Sequence, residues 1–133
     1  LTDYPIKACK RACEIITEMK AQNFVEFICT GNQTVMAKSN EYARAAGVEI
    51  GWMGNQPASV YQQKSYTWAN LSTTYMSQGG GERTIDEFTK ADIAISVFNA
   101  DDDATMNYYI SKAKQMKAIC TNYPKKLINK MKK

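Results

Sequence analysis

The sequence predicts an α/β domain, a doubly wound three-layer sandwich with a mostly parallel sheet of about four strands. Short apolar runs rich in β-branched and aromatic residues alternate along the chain with longer stretches of helical periodicity. The run at 92–98, DIAISVF, is almost continuously apolar, which is typical of a strand buried on both faces of a parallel sheet. Strands that alternate with helices in this way indicate βαβ units.

The first unit of the pattern runs from Phe24 to Gly47. Its apolar run ends at Cys29 in a strand pattern, the turn signal Gly31-Asn32 follows, and a helical pattern then ends at Gly47, where a left-handed C-terminal cap is expected. This order of strand, polar loop and helix places backbone N–H groups at the carboxyl end of a strand, which favours an anion.

The other elements follow in the same alternation. Helical periodicity predicts a first helix over 4–21, a helix over 59–76, a short helix over 85–90 behind a Thr84–Glu87 capping box, a helix that contains Met106 and Met116, and a terminal helix that contains Leu127, Ile128 and Met131. Strands are predicted at 48–52, 92–98 and 118–120, and Gly79-Gly80-Gly81 is interpreted as a connector rather than a phosphate-binding loop.

Length and composition indicate one domain over residues 1–133. Hydrophobic residues make up 44% and charged residues 23% of the chain, as in ordinary globular domains. No apolar run approaches the ~20 residues of a membrane span, and we therefore expect no membrane partner.

The net charge of +4 is distributed unevenly. Residues 1–103 carry 9 basic and 13 acidic residues, whereas residues 104–133 carry 8 lysines and no acid. The lysine-rich end is interpreted as a solvated helix end, with an anionic partner surface as the alternative. Because the rest of the chain is acidic, nucleic acid is not the expected partner.

The four cysteines are predicted to be reduced thiols of a cytoplasmic protein, with two disulfides as the alternative. Cys9 and Cys13 share the apolar face of the first helix, and Cys29 and Cys120 fall in predicted strands, where free cysteine behaves as a small hydrophobe. The chain has no histidine and no CxxC pair, which excludes the common zinc sites and every histidine-dependent triad. We expect no metal and no cofactor.

Three polar loops are predicted at the carboxyl ends of the strands, where α/β proteins bind ligands. They span 30–34, 96–105 and 121–123, and their hydroxyl and amide groups donate hydrogen bonds to phosphate or sugar oxygens. The same residue types also serve as turn formers and helix caps. The candidate ligand-binding residues are Thr30, Gly31, Asn32, Gln33, Thr34, Ser96, Asn99, Thr105 and Thr121.

The order of elements resembles the sugar isomerase (SIS) domain family over most of the chain. The resemblance lies in the segments FICTGNQTVMAKSNEYARAAG, VEIGWMG and DIAISVFNADDDATMNYYISKAKQMKAICTNYP. Within them Gly31 matches a loop glycine, Ala113-Lys114 match a helix and Thr121 matches the last loop, while Asp92, Ile95 and Ser96 match the central strand. The resemblance implies a sugar phosphate ligand and a homo-oligomer with sites at subunit interfaces.

The sequence departs from the family at chemically important positions. Gln33 stands where the family has a loop serine, and three successive carboxylates, Asp101 to Asp103, occupy the second loop, where they are expected to repel a dianion. Asp103 is the expected cap of the next helix. Isomerisation needs a base, for which Glu41 is the candidate, with Glu49 as the other choice.

Three hypotheses for function follow from these observations. The first is a SIS-like domain that binds a sugar phosphate or similar small anion, either without catalysis or as a degenerate phosphosugar isomerase. The second is a non-catalytic assembly protein that self-associates through aromatic residues such as Trp52, Trp68 and Tyr75. The third is a secreted, disulfide-stapled helical protein with glycosylation sequons at Asn32 and Asn70.

Overall fold

The fold is given by a computed structural model that describes residues 3–133. Its five strands are β1 (Glu26–Cys29), β2 (Glu49–Trp52), β3 (Trp68–Ser72), β4 (Ala94–Phe98) and β5 (Met116–Ile119). Its α-helices are α1 (Asp3–Glu18), α2 (Gln33–Ala45), α3 (Ala58–Gln63), α4 (Thr73–Gln78), α5 (Gly81–Lys90), α6 (Asp103–Ser111) and α7 (Pro124–Met131). The described residues therefore confirm the predicted α/β class.

The sheet is parallel throughout, and its strands lie in the order in which they occur in the sequence, β1-β2-β3-β4-β5. In a doubly wound sheet, successive strands are added first on one side and then on the other side of a switch point. The sequential order found here has no such reversal. The prediction of a doubly wound three-layer sandwich is therefore wrong. Since parallel crossovers are right-handed, strands in sequential order place their helices on one face of the sheet, as in a (β/α) barrel.

The strand β3 lies where the sequence predicted one long helix over 59–76. The chain instead forms α3, turns at Ser65 with φ of 61°, forms β3 and continues into α4. Residues Trp68 to Leu71 are all buried, because β3 pairs with both β2 and β4. Tyr61, Trp68, Leu71 and Tyr75 are spaced roughly as on one face of a helix, but the strand pairing of β3 overrides this weak local pattern.

The sheet is strongly curled. In a flat sheet, four strand spacings of about 4.8 Å would separate β1 from β5 by roughly 19 Å. The amine of Lys117 on β5 nevertheless lies 2.8 Å from Glu26 Oε1 on β1 and 2.6 Å from Glu49 Oε2 on β2. A lysine side chain reaches both carboxylates only if the sheet bends into an open barrel whose concave face carries these three groups.

The core fills the space between the sheet and its helices. The aromatic cluster of Trp52, Tyr61, Tyr66 and Phe88 packs on one side, with ring centroids 4.9 to 6.5 Å apart.

The capping box predicted at Thr84 is wrong: α5 begins at Gly81, and Thr84 is buried inside the helix. Among residues 3–133, no helix is both long and apolar enough to cross a membrane.

Candidate functional site

The first predicted loop follows β1 and starts α2. Gly31 has φ of 98°, and the Asn32 side chain accepts hydrogen bonds from the backbone N–H groups of Thr34 and Val35 as the cap of α2. The Gln33 oxygen accepts a hydrogen bond of 2.9 Å from Lys64. With Thr30, whose hydroxyl donates to the carbonyl of Met53, three of the five candidates in this loop have side chains engaged in hydrogen bonds within the chain.

The second and third predicted loops follow β4 and β5 and lie side by side. The Asp101 carboxylate accepts hydrogen bonds from the Thr121 hydroxyl, the Asn122 backbone N–H and the Asn122 side-chain amide, at 3.0, 2.8 and 2.9 Å. These bonds, the backbone one first, lower the pKa of Asp101. One carboxylate therefore fastens the two loops together.

The other two carboxylates of the second loop also have partners. Asp102, and not Asp103 as expected, caps α6: it accepts hydrogen bonds from the backbone N–H and the hydroxyl of Thr105, both at 2.8 Å. Asp103 instead lies 3.0 Å from the amines of Lys126 and Lys130, which lower its pKa. Because each charge is met by donors or cations, the expected repulsion of an anion is weakened.

Side chains also join the remaining neighbouring strand ends. The Thr30 hydroxyl donates to the carbonyl of Met53 across β1 and β2, and the Asn55 side chain accepts from the backbone N–H of Ser72 across β2 and β3. The Thr73 hydroxyl donates to the carbonyl of Asn99 across β3 and β4. The carboxyl ends of the strands thus form one continuous, hydrogen-bonded rim.

The other candidates lie at different depths of the fold. Ser96 is buried within β4, where its hydroxyl is 3.8 Å from the Cys120 sulfur. Glu41, the candidate base, is exposed on α2 and paired with Lys38 at 3.1 Å. Glu41 is therefore not brought together with the second and third loops, and Glu49 is paired with Lys117 at the amino end of its strand.

A groove of about 820 Å³ opens beside the rim, between the α4–α5 segment and α6. Thr73 and Thr105 line the groove, and each lies in the first turn of a helix that follows a strand. The first turn of α5 and Tyr108 of α6 form its walls. A β-carbon at Gly81 would overlap the Tyr108 hydroxyl, so the glycine lets the two walls meet.

The groove is lined by one acidic residue, Glu82, and one basic residue, Arg83. Gly80 has no side chain to cap α5, so the N–H groups of the first turn have no side-chain acceptor. Glu82 is paired with Lys112 at 2.6 Å, which lowers the pKa of the carboxyl. The Arg83 side chain makes no hydrogen bond or ion pair with any residue from 3 to 133. Its guanidinium charge is therefore available to a ligand.

Of the predicted site residues, the groove includes Thr105 and borders Asn99 through Thr73. Arg83, Ser77 and Tyr108 are not among the predicted site residues, because they lie on helices rather than in strand-end loops. The one available signal was Gly80-Gly81 directly before a charged helical turn, which was interpreted as a connector. An uncapped helix start is visible in that sequence only once the true beginning of α5 is known.

Fold and groove together define a parallel α/β protein with an open, curled sheet and a polar groove at the carboxyl ends of its strands. Its fold is similar to that of a glycerophosphodiester phosphodiesterase from Parabacteroides distasonis ATCC 8503, with a TM-score of 0.82 and 11% sequence identity. The similarity covers 99% of this chain and 53% of that chain, so this chain spans about half the length of the solved structure. No protein-family model matches the chain, and no curated protein matches it.

Proposed function

We propose that this chain binds a phosphate ester of a small polyol in the groove between α4, α5 and α6. The observation that carries the proposal is an arginine with an unpaired side chain, Arg83, in the uncapped first turn of α5, which lines the groove of about 820 Å³. A guanidinium fork and free backbone N–H groups are the groups that proteins use for phosphate.

Hydroxyl groups in the same groove suit the polyol part of such a ligand. Thr73, Thr74 and Ser77 line one side, and Tyr108 lines the other. A hydroxyl both donates and accepts, so it matches the hydroxyls of a sugar or of glycerol without a fixed charge. Sugar phosphates, which the SIS resemblance implies, and glycerophosphodiesters, which the structural neighbour's name states for that protein, both belong to this class.

The proposal concerns binding. The candidate base Glu41 lies on the exposed face of α2 and not in the groove. For the assembly hypothesis, Trp52, Trp68, Tyr61 and Tyr66 are buried and Tyr75 is half-buried, so these aromatic residues offer little surface to a second copy. The third hypothesis needs disulfides, whereas all four cysteines are free thiols, and the sequon at Asn70 is 2% exposed.

The test measures the melting temperature against glucose 6-phosphate, glycerol 3-phosphate and glycerophosphocholine, followed by calorimetric titration of any compound that stabilises the fold. We expect Arg83→Gln to weaken binding by about tenfold or more, because a charge-assisted hydrogen bond is worth roughly 1.5–3 kcal/mol. Arg83→Lys should recover part of the loss by keeping the charge without the fork.

Arg44→Gln is the matched control, since Arg44 is exposed on α2, outside the groove, and donates to the carbonyl of Ser65. We expect it to leave ligand affinity unchanged. The proposal fails if none of the three compounds stabilises the wild-type protein at about millimolar concentration, where even weak sites are partly filled. It also fails if Arg44→Gln lowers ligand affinity as much as Arg83→Gln does.

A further inference from the structure

The terminal helix α7 carries exposed apolar side chains among lysines. Ile128 is 49% and Met131 54% exposed, and Tyr123, just before the helix, is 56% exposed. Leu127 of the same helix is buried against the fold. An apolar surface of this kind at the edge of a domain is typical of a contact site.

Helix geometry separates the lysines of α7 into two groups. Lys126 and Lys130 point to α6, where both amines lie 3.0 Å from Asp103. At about 100° per residue, Lys125 and Lys132 fall on the other side, next to Ile128. The side-chain amine of neither lysine has a hydrogen-bond or ion-pair partner within the described part of the chain. The exposed face is therefore apolar along its middle and cationic along its border.

We propose that this face of α7 docks on an anionic lipid surface. A short amphipathic helix with lysines beside its apolar stripe lies in the headgroup region, with the apolar side chains below and the amines at the phosphates. Charge supports the assignment. Lys112, Lys117, Lys126 and Lys130 of residues 104–133 are paired with carboxylates, whereas the amines of Lys125, Lys132 and Lys133 have no carboxylate partner among the described residues. Tyr123 has the amphipathic ring that interfaces favour.

Other occupants fit the face less well. A second copy of this chain would have to cover Lys125 and Lys132, and the cores of protein interfaces are depleted in lysine. Two such faces against each other would also repel. A nucleic acid would use the lysines but leave Ile128 and Met131 without a matching apolar partner.

The experiment is co-sedimentation of the whole chain with vesicles of phosphatidylcholine, alone or with added phosphatidylserine. We expect binding only to the anionic vesicles and weaker binding as salt rises. Each lysine at such a surface contributes on the order of fivefold in affinity, so Lys125→Gln with Lys132→Gln should lower affinity by more than about tenfold. Ile128→Ser with Met131→Ser should also reduce binding.

The matched control replaces two exposed lysines outside α7, Lys7→Gln with Lys90→Gln, and should bind as the wild type does. Equal binding to both kinds of vesicle, no binding, or the same loss in the control would overturn the proposal. A dimer detected by light scattering that Ile128→Ser with Met131→Ser abolishes would also overturn the proposal. Tighter binding to single-stranded DNA than to the anionic vesicles would overturn it as well. Arg83→Gln should leave vesicle binding unchanged, which separates this proposal from the ligand groove.

Discussion

Gly51 lies where two neighbouring strands of the sheet approach closely. A β-carbon at this position would overlap the indole ring of Trp68, which is 3% exposed on the neighbouring strand. Because the ring is buried, it has no room to move aside. The glycine is therefore explained by a close approach between two strands and not by a turn.

Replacing Gly51 with alanine should destabilise the fold by about 2 kcal/mol, the usual cost of an extra carbon in a filled core. The measurement is the free energy of unfolding in urea. In a Trp68→Leu background the same replacement should cost less, because the overlapping ring is gone. An equal cost in both backgrounds would show that the ring is not the cause.

The sequence contained no signal for this contact. Gly51 follows two residues of a strand pattern, and the same pattern fits any glycine that weakens a strand. Its role depends on Trp68, which the sequence analysis placed in a helix. Asn32 is the opposite case: a turn signal before a helical pattern predicts a position near the helix start, and the structure shows its side chain capping α2.

Among the elements, the β4–α6 loop shows how three adjacent carboxylates are accommodated. Asp101 ties the loop to β5, Asp102 caps α6, and Asp103 meets two lysines of α7. The pKa of all three carboxyls is lowered. A carboxyl group whose pKa is lowered by folding stabilises the folded state at every pH above its ordinary pKa, here 3.8. This stabilisation is lost as the pH falls through the lowered pKa.

The predicted pH effect is tested with Asp101→Asn. The amide is neutral at every pH and places an N–H donor against the donors of Asn122, so the variant should unfold at lower urea concentration than the wild type at pH 7. Below about pH 4 the wild-type carboxylates take up protons, and the difference between the two midpoints should narrow. Asp86→Asn, at an exposed position on α5, is the control and should leave the midpoint unchanged. A difference that stays constant with pH would contradict the assignment.

Most helices and four of the five strands follow from local patterns, because apolar periodicity and turn residues are properties of short segments. The strand order does not, since a βαβ pattern is the same whether the next strand is added on one side or the other. The third strand was missed because its buried residues, Trp68 to Leu71, gain their strand character from β2 and β4. The groove was missed for a related reason: it lies between helices whose starts were misplaced.

On the scale of the whole molecule, one side chain spans the curled sheet from its last strand to its first. Lys117 on β5 lies within hydrogen-bond distance of Glu26 on β1 and Glu49 on β2, and its amine is 5.5 Å from the centroid of Trp68. Burial opposes the charge of the amine, but the hydrogen bonds to Glu26 and Glu49 outweigh it, and the pKa of Lys117 is raised. The ion pairs thus join the first strand to the last.

Lys117→Met should loosen this connection. The two carboxylates would face each other without a cation, and we expect a loss of about 1 kcal/mol in the free energy of unfolding, discounted for their partial exposure. Hydrogen exchange should rise in β1, which pairs only with β2 among the described strands, and much less in β3 and β4, which are paired on both sides. The control is Lys112→Met, which breaks the Lys112–Glu82 pair between α6 and α5. If both variants change exchange in β1 equally, Lys117 does not hold the first strand in place. If only Lys117→Met changes it, the ion pairs across the open sheet secure β1, because backbone pairing alone leaves this strand on an open edge.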